Sequence, residues 1–454
     1  MSTSIIKTTM FIIVLAFSGY GTIYGQQKKL DDYLHQALAS NEGLQQKQFQ
    51  LDKALYSLKE AKALFMPSIS LMGSYLKDAG GRAIEFPVGD LLNPVYSTLN
   101  QLTSSSNFPK LQNVSIPLNP DNFYDAKFRT VLPIINAEIW YNQKIKNQLI
   151  NIQQATINVY KRQLVKDVKD AYYHCYQTGK EIEIYQNALK LVNENIRVNE
   201  SLYRNGVKNS TSLTRAQAEK QKIETALTNA TNNRKNALMY FNFLLNQPLD
   251  NDVFIDTTAI NGIDIGNVTH GNDISKREEL GQLRYTSNIY NLNHGLQNSH
   301  MIPKLNTFLD LGSQGFNWKV DDKSRYYMWG VNLQWDLFAS NQYKYKAKQV
   351  DEDLKTVKSQ EQETEKALQM QLQTAYNNFN SAFASCRNAQ QQLALAEKYY
   401  KDQLKIYKEG QLLYIELLDA QNQLISAELQ VSVAIANTRI AAAEIERSNA
   451  SYPL

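Results

Sequence analysis

Tyr407-Lys408-Glu409-Gly410-Gln411-Leu412-Leu413-Tyr414-Ile415-Glu416-Leu417-Leu418-Asp419-Ala420-Gln421 is the stretch whose reading decides the fold. A long polar helical pattern enters it, a glycine interrupts it, and an apolar heptad leaves it. Leu413, Leu417, Ala420, Leu424, Ala427, Val431 and Ala434 follow alternating steps of four and three residues, which is the seam of a coiled coil. The same construction occurs once before: Tyr203, Gly206, Leu213, Ala216 and Gln217 each lie 204 positions ahead of Tyr407, Gly410, Leu417, Ala420 and Gln421. A shared offset with shared punctuation is an internal repeat. Leu213, Ala216, Ile223, Leu227 and Ala230 keep the earlier seam, with Lys220 intruding.

Working outward, each turn is preceded by a very long helical pattern. One opens at Asn136-Ala137 and runs to about Tyr203, and the other runs from about Asn341 to Tyr407. Roughly 65 residues at about 1.5 Å each span about 100 Å, beyond an ordinary globular helix. Return helices are expected from about Ser210 to Leu245 and from Gly410 to about Arg447. Ahead of each hairpin, a helix ends at a proline and the period changes from 3.6 to 2. Leu30 to about Leu64 is helical and stops at Met66-Pro67, and another helix from about Arg277 stops at Met301-Ile302-Pro303. Strands follow over Ile69–Tyr75, Tyr124–Leu132 and Leu305–Leu311. The clearest strand has Tyr327, Trp329, Val331, Leu333, Trp335 and Leu337 alternating with Met328, Gly330, Asn332, Gln334 and Asp336.

The expected organisation is a first repeat over 26–249, a connector over 250–276 and a second repeat over 277–454. Strand pairs lie around 67–135 and 303–338, and hairpin tips near 206 and 410. From Pro67 to Pro133 is 66 positions, whereas Pro303 to Asp336 is 33, so 33 extra residues fall in the first strand loop. That segment, 77–122, is rich in Pro, Gly and Ser and reads as a long loop. Insertions collect in exposed loops.

Ten prolines and 19 glycines in 454 residues agree with long helices and few turns. A net charge of +4 without a basic tract gives no footprint for nucleic acid. Residues 1–25 read as a secretory signal, with Lys7, the apolar run Met10–Phe17 and a small-residue exit. That run is too short to cross a bilayer, which needs about 20 apolar residues. Two cysteines, Cys175 and Cys386, make no disulfide framework. The five histidines form no ligand-spaced cluster, and there is no phosphate loop, nucleophile elbow or zinc motif. No catalytic residue, metal site or cofactor is expected.

Two strands per repeat are too few to close a barrel alone. Trp318, Tyr327, Trp329 and Trp335 fall in or beside the second strand pair, as aromatics do at the interfaces of a membrane barrel. A sheet in lipid must close on itself, so four strands per chain imply several chains, and three chains give twelve strands. The residues therefore read as mainly α with a small β part: duplicated long helical hairpins with coiled-coil seams, and four strands per chain, which three chains would close as a twelve-stranded barrel. An exported coiled-coil structural protein, such as a surface fibre, is the rival from another class, and the amphipathic strands count against it.

The element order, the helix-ending prolines, Arg277-Glu278-Glu279-Leu280 and the Tyr-x-x-Gly tips resemble the TolC-like outer-membrane efflux proteins over essentially the whole mature chain. The resemblance implies a homotrimer in the outer membrane of a Gram-negative-type envelope, in contact with its lipid and continued by a twelve-helix periplasmic tunnel. It also implies an exit duct of a tripartite pump, docked on a periplasmic adaptor that links it to an inner-membrane transporter of RND or ABC type. The cargo would be small molecules (drugs, metals, toxic compounds), or proteins in a type I secretion system. Glu416, Asp419 and Tyr407 match the aperture positions. Asn205, Gly206, Val207, Glu409, Gly410, Gln411 and Leu412 match the adaptor-docking tips. Where some members carry an aperture-latching arginine this chain has Leu412, and where its acidic partner would fall it has Ser212.

Overall fold

The computed structural model describes residues 30–119, 121–257, 260 and 273–454. The signal segment and residues 258–259 and 261–272 of the connector lie outside the described residues. Helices α1 (Leu30–Ser40) and α2 (Glu42–Ala63) lead to β1 (Ser68–Leu76). Then come β2 (Ala83–Phe86), α3 (Val88–Leu102), β3 (Val114–Pro117) and β4 (Phe123–Ile135). Helices α4 (Ala137–Arg204) and α5 (Ser210–Leu244) follow. After the connector, α6 (Glu278–Asn298), β5 (Lys304–Phe316), β6 (Arg325–Gln334), α7 (Gln342–Lys408) and α8 (Tyr414–Ser448) repeat the order helix, strand, strand, helix, helix. The chain is mostly helical, with α4 and α7 running uninterrupted for 68 and 67 residues.

Two compact units are distinguished. One gathers residues up to Asn41 with 165–268 and 382–440, and the other gathers 42–164, 269–381 and 441–454. The second unit carries the strands. β1, β4, β5 and β6 form one antiparallel sheet in that order, so the two strand pairs join through β4 and β5. β1 and β6 are its free edges.

The pairing register sorts the side chains. Leu71, Phe128, Leu311 and Tyr327 lie in one row across the sheet, and Ile69, Thr130, Leu309 and Trp329 in the next. This apolar face is uncovered: Leu71 is 70% exposed, Tyr327 79% and Trp329 67%. The opposite face carries the charges. Arg129 binds Asp310 through two nitrogens at 2.7 and 2.6 Å. Lys127 and the Tyr326 hydroxyl both donate to Asp125, at 2.6 and 2.7 Å. A water-soluble sheet does the reverse, because burying apolar surface is the main favourable term in folding.

The Arg277-Glu278-Glu279-Leu280 stretch has a structural role in this unit. Arg162 of α4 forks onto Glu278 at 2.8 and 2.9 Å and also donates to the Tyr452 carbonyl at 2.9 Å. The buried Arg277 pairs with Glu279 and donates to the Ser448 carbonyl at 3.1 Å. Together they tie the start of α6 to α4 and to the carboxyl-terminal residues.

Three expectations need correction. The helix expected over Leu30 to Leu64 is broken at Asn41, whose side chain donates to the Leu244 carbonyl at 3.0 Å. The strand expected through Leu337 stops at Gln334, because its partner β5 begins at Lys304, just after Pro303, which has no N–H to give. The segment 77–122, expected to be a long loop, contains α3 and a two-stranded ribbon of β2 and β3. Asparagine side chains stabilise it by bonding backbone groups, a device with no periodic signature.

Replacing Asp310 by Ala leaves Arg129 without its fork, a loss of about 1.5–3 kcal/mol for a bond to a charged group. Amide exchange across β4 and β5 is expected to accelerate by at least about tenfold, and the Arg129→Asp, Asp310→Arg swap to restore most of the protection. Equal exchange in all three proteins would show the pair to be energetically idle.

Candidate functional site: the paired helical tips

Both helix–helix turns lie in the first unit and close in the same way. At the first, Gly206 (φ 70°) donates its N–H to Tyr203 and Val207 donates to Leu202, at 3.0 and 2.9 Å. At the second, Gly410 (φ 82°) donates to Tyr407 and Gln411 to Ile406, at 2.9 and 3.3 Å. This 6→1 and 5→2 pair is the Schellman motif, which places a left-handed residue after the helix and so selects glycine. Neither glycine is crowded: a β-carbon at 206 meets nothing within 4 Å, and one at 410 meets only Val207 at 3.9 Å. The constraint is backbone conformation alone.

The two turns are in contact. The Lys208 ammonium donates to the carbonyls of Leu412 and Gly410, at 3.1 and 3.4 Å, and lies 6.0 Å from the Tyr407 ring centroid. This cation stands two residues after the first glycine, whereas the place two residues after the second is Leu412. Nothing in the helical periods marked Lys208.

Tyr407, expected among the aperture residues, is 0% exposed, whereas its echo Tyr203 is 50% exposed. Its hydroxyl donates to the Asn199 side chain at 2.5 Å. Asn199 in turn donates to the Asn195 carbonyl at 2.8 Å, and the Asn195 amide to the Gln421 side chain at 2.7 Å. Tyr400, Tyr407, Tyr414, Leu417, Ala420 and Leu424 form the apolar cluster around this chain, closed by Ala216 of α5. Seam residues face inward because they lie every three or four positions; Tyr407 falls on that face of α7 and Tyr203 on the outer face of α4.

Glu416 and Asp419 remain exposed on one face of α8, three residues apart. The Glu416 carboxylate accepts the Leu413 N–H at 3.1 Å, the half of a capping box that reaches back from the third helical residue. Asp419 accepts from the Gln423 side chain at 2.7 Å. Of the expected docking residues, Asn205, Gly206, Val207, Glu409 and Gln411 are exposed, while Gly410 and Leu412 are half-buried beneath Lys208. Trp318, Tyr327, Trp329 and Trp335 belong to the other unit. Trp318 (φ 56°) stacks on Tyr75 and Tyr124, at 5.2 and 5.5 Å between centroids. Among the described residues no group of His, Cys, Asp or Glu side chains could hold a metal ion. No described helix is long and apolar enough to cross a membrane.

Burial pushes the Tyr407 hydroxyl up to about 12, opposed in part by its bond to Asn199, and burial also raises Tyr400 and Tyr414. A folded-state value above the unfolded one means that the folded tip holds its protons longer. The stability this gives is complete below pH ~10 and is lost as pH rises toward ~12. Amide protection of the α7–α8 tip is expected to fall over that window, and less steeply in Tyr407→Phe; a flat profile would contradict the burial argument. Lys208→Ala is expected to speed exchange over residues 409–413 by about tenfold, the equivalent of ~1.4 kcal/mol, while leaving mid-α7 unchanged. Unaltered exchange at 409–413 would remove Lys208 as the clamp.

Residues 275–449 match the outer membrane efflux protein family. Comparison with curated protein sequences finds no match. Among solved structures, the outer-membrane channel OprN is similar at 15% identity, with 92% of this chain and 89% of that chain covered and a TM-score of 0.70. VceC, an outer membrane protein of Vibrio cholerae, is similar at 13% identity, 92% and 95% coverage, and a TM-score of 0.71. The CmeC outer membrane channel of Campylobacter jejuni is similar at 14% identity, 92% and 85% coverage, and a TM-score of 0.71. At these identities the structural likeness concerns the fold. Residues 275–449 thus match the outer membrane efflux protein family, and 92% of the chain shares the fold of solved outer-membrane channels.

Proposed function

We propose that three copies of this chain form the outer-membrane exit duct of a tripartite export pump. The observation that carries the reading is the sheet: its apolar face is uncovered, its charges are gathered on the other face, and β1 and β6 are free edges. An open edge in lipid leaves backbone groups unpaired at several kcal/mol each. Three four-stranded sheets joined edge to edge make twelve strands, enough for a water-filled lumen lined by Arg129, Asp310, Lys127 and Asp125. Lipid then covers the face of Leu71, Phe128, Leu311 and Trp329. The helical hairpins continue the duct into the periplasm, and the exposed turns at 205–207 and 409–411 meet the adaptor.

The duct is passive. Energy and the choice of cargo come from an inner-membrane transporter of RND or ABC type, and the cargo is small molecules. Three copies of Glu416 and Asp419 bring six carboxylates to the tip aperture, a ring that favours cations. Within each chain Lys208 holds the two turns together, so opening the aperture has to break its bonds to Gly410 and Leu412.

Planar-bilayer recording tests both levels of the proposal. The purified trimer is expected to conduct with cation preference, and Glu416→Ala with Asp419→Ala to reduce that preference and the block by divalent cations. Unchanged selectivity and block would remove the pair from the aperture, and a trimer without conductance would contradict the duct itself.

A further inference from the structure

Residues 83–117 have no counterpart between β5 and β6. They form a small unit of their own at the end of the sheet away from α2 and α4. Its amphipathicity is inverted. Asparagines on α3 face inward and bond the returning backbone as a neighbouring strand would. Asn93 donates to the Leu111 carbonyl at 2.9 Å and accepts its N–H at 2.8 Å. Asn100 does the same with Phe108, at 2.8 and 3.1 Å. Asn113 donates to the Asp90 carboxylate and accepts the Asp90 N–H, at 2.8 and 3.1 Å. Gly89 is pressed against this return, since a β-carbon there would lie 2.6 Å from the Leu111 carbonyl oxygen.

The apolar side of α3 therefore points outward. Leu92, Val95, Leu99 and Leu102 follow steps of three, four and three residues, the spacing of a helix–helix seam. Leu102 is 76% exposed, Val95 52% and Leu92 37%, with Leu99 half-buried between them and Leu91 beside them 68% exposed. The ribbon beside it is similarly one-sided: Ile84, Phe86, Val114 and Ile116 share an exposed face, and Glu85 and Ser115 pair on the other. A two-stranded ribbon alone is marginal in water, so covering this surface would stabilise it.

The seam spacing selects a helix as the cover. A helix lying in a lipid surface carries Lys or Arg on its polar side. α3 has none, and its single charge, Asp90, is already bonded. A symmetric trimer supplies matching helices at equal distances. We propose that the α3 helices of three copies pack together through Leu92, Val95, Leu99 and Leu102 and narrow the outer opening of the duct; this rests on the trimer proposed above. Two heptads per helix are weak in isolation, but tethering on one assembly raises their effective concentration to about the millimolar range.

Val95→Cys and Leu102→Cys, each made singly in the full chain, purified from membranes and treated with a short bismaleimide, are expected to give covalent dimers in about half of the protein, since one thiol per chain joins two chains at most. The unsubstituted chain, whose Cys175 and Cys386 are buried, is expected to give none. Native mass spectrometry of the same samples separates the failures. A monomer would sink the trimer and this inference with it, whereas an intact trimer without cross-links would overturn the α3 association alone. Quenching of a Val95→Trp variant by brominated acyl chains would likewise overturn it, in favour of lipid. Deleting residues 83–117 joins chain ends that already meet, as Leu118 donates to the Arg82 carbonyl at 2.8 Å. Conductance of that trimer is expected to rise about twofold; an unchanged value would exclude a constriction at this site.

Discussion

The sheet imposes the constraint on which the remaining structure depends. Four strands turn Leu71, Phe128, Leu311, Tyr327 and Trp329 outward and hold Arg129, Asp310, Lys127 and Asp125 on the other side. At about 25 cal/mol per Å² of apolar surface, leaving such a face in water forgoes several kcal/mol per row of residues. Its two edges carry unpaired donors and acceptors besides. In the proposed duct, lipid against the apolar face answers the first problem, and further copies of the chain at β1 and β6 answer the second. Both answers are needed together, because a sheet that enters lipid with open edges is worse off than one in water.

The helical tips follow a different logic, in which repetition fixes the shape and individual residues fix the chemistry. Gly206 and Gly410 close their helices with the same pair of hydrogen bonds and the same positive φ. Tyr203 faces solvent, whereas Tyr407 anchors a buried polar chain through Asn199, Asn195 and Gln421. Lys208 belongs to the first turn only, and the exposed acids Glu416 and Asp419 to the second only. Duplication supplied two equal hairpins, and divergence at a few positions made one the clamp and the other the clamped.

Much of this was legible in the sequence, because it rests on period and punctuation. The 204-residue echo, the helix-ending prolines and the alternation along Tyr327–Leu333 each have a local physical cause that survives without coordinates. What escaped reading depends on contacts between distant residues. The break at Asn41 is set by the Leu244 carbonyl. The end of β6 is set by the start of β5, and the burial of Tyr407 by which face of α7 meets α4. The asparagine pairs of α3 were hidden for another reason: side chains bonding backbone leave no repeat, and Pro87 and Pro94 made the segment look like loop. Glu416 was singled out for its charge, and its bond to the Leu413 N–H adds a capping role that charge patterning does not reveal.

The central claim is that the free edges of the sheet are closed by other copies of the same chain. Native mass spectrometry of the protein extracted from membranes in detergent addresses it most directly. The account predicts one species of three chains that persists on dilution. A stable single chain, with β1 and β6 left unpaired, would contradict it.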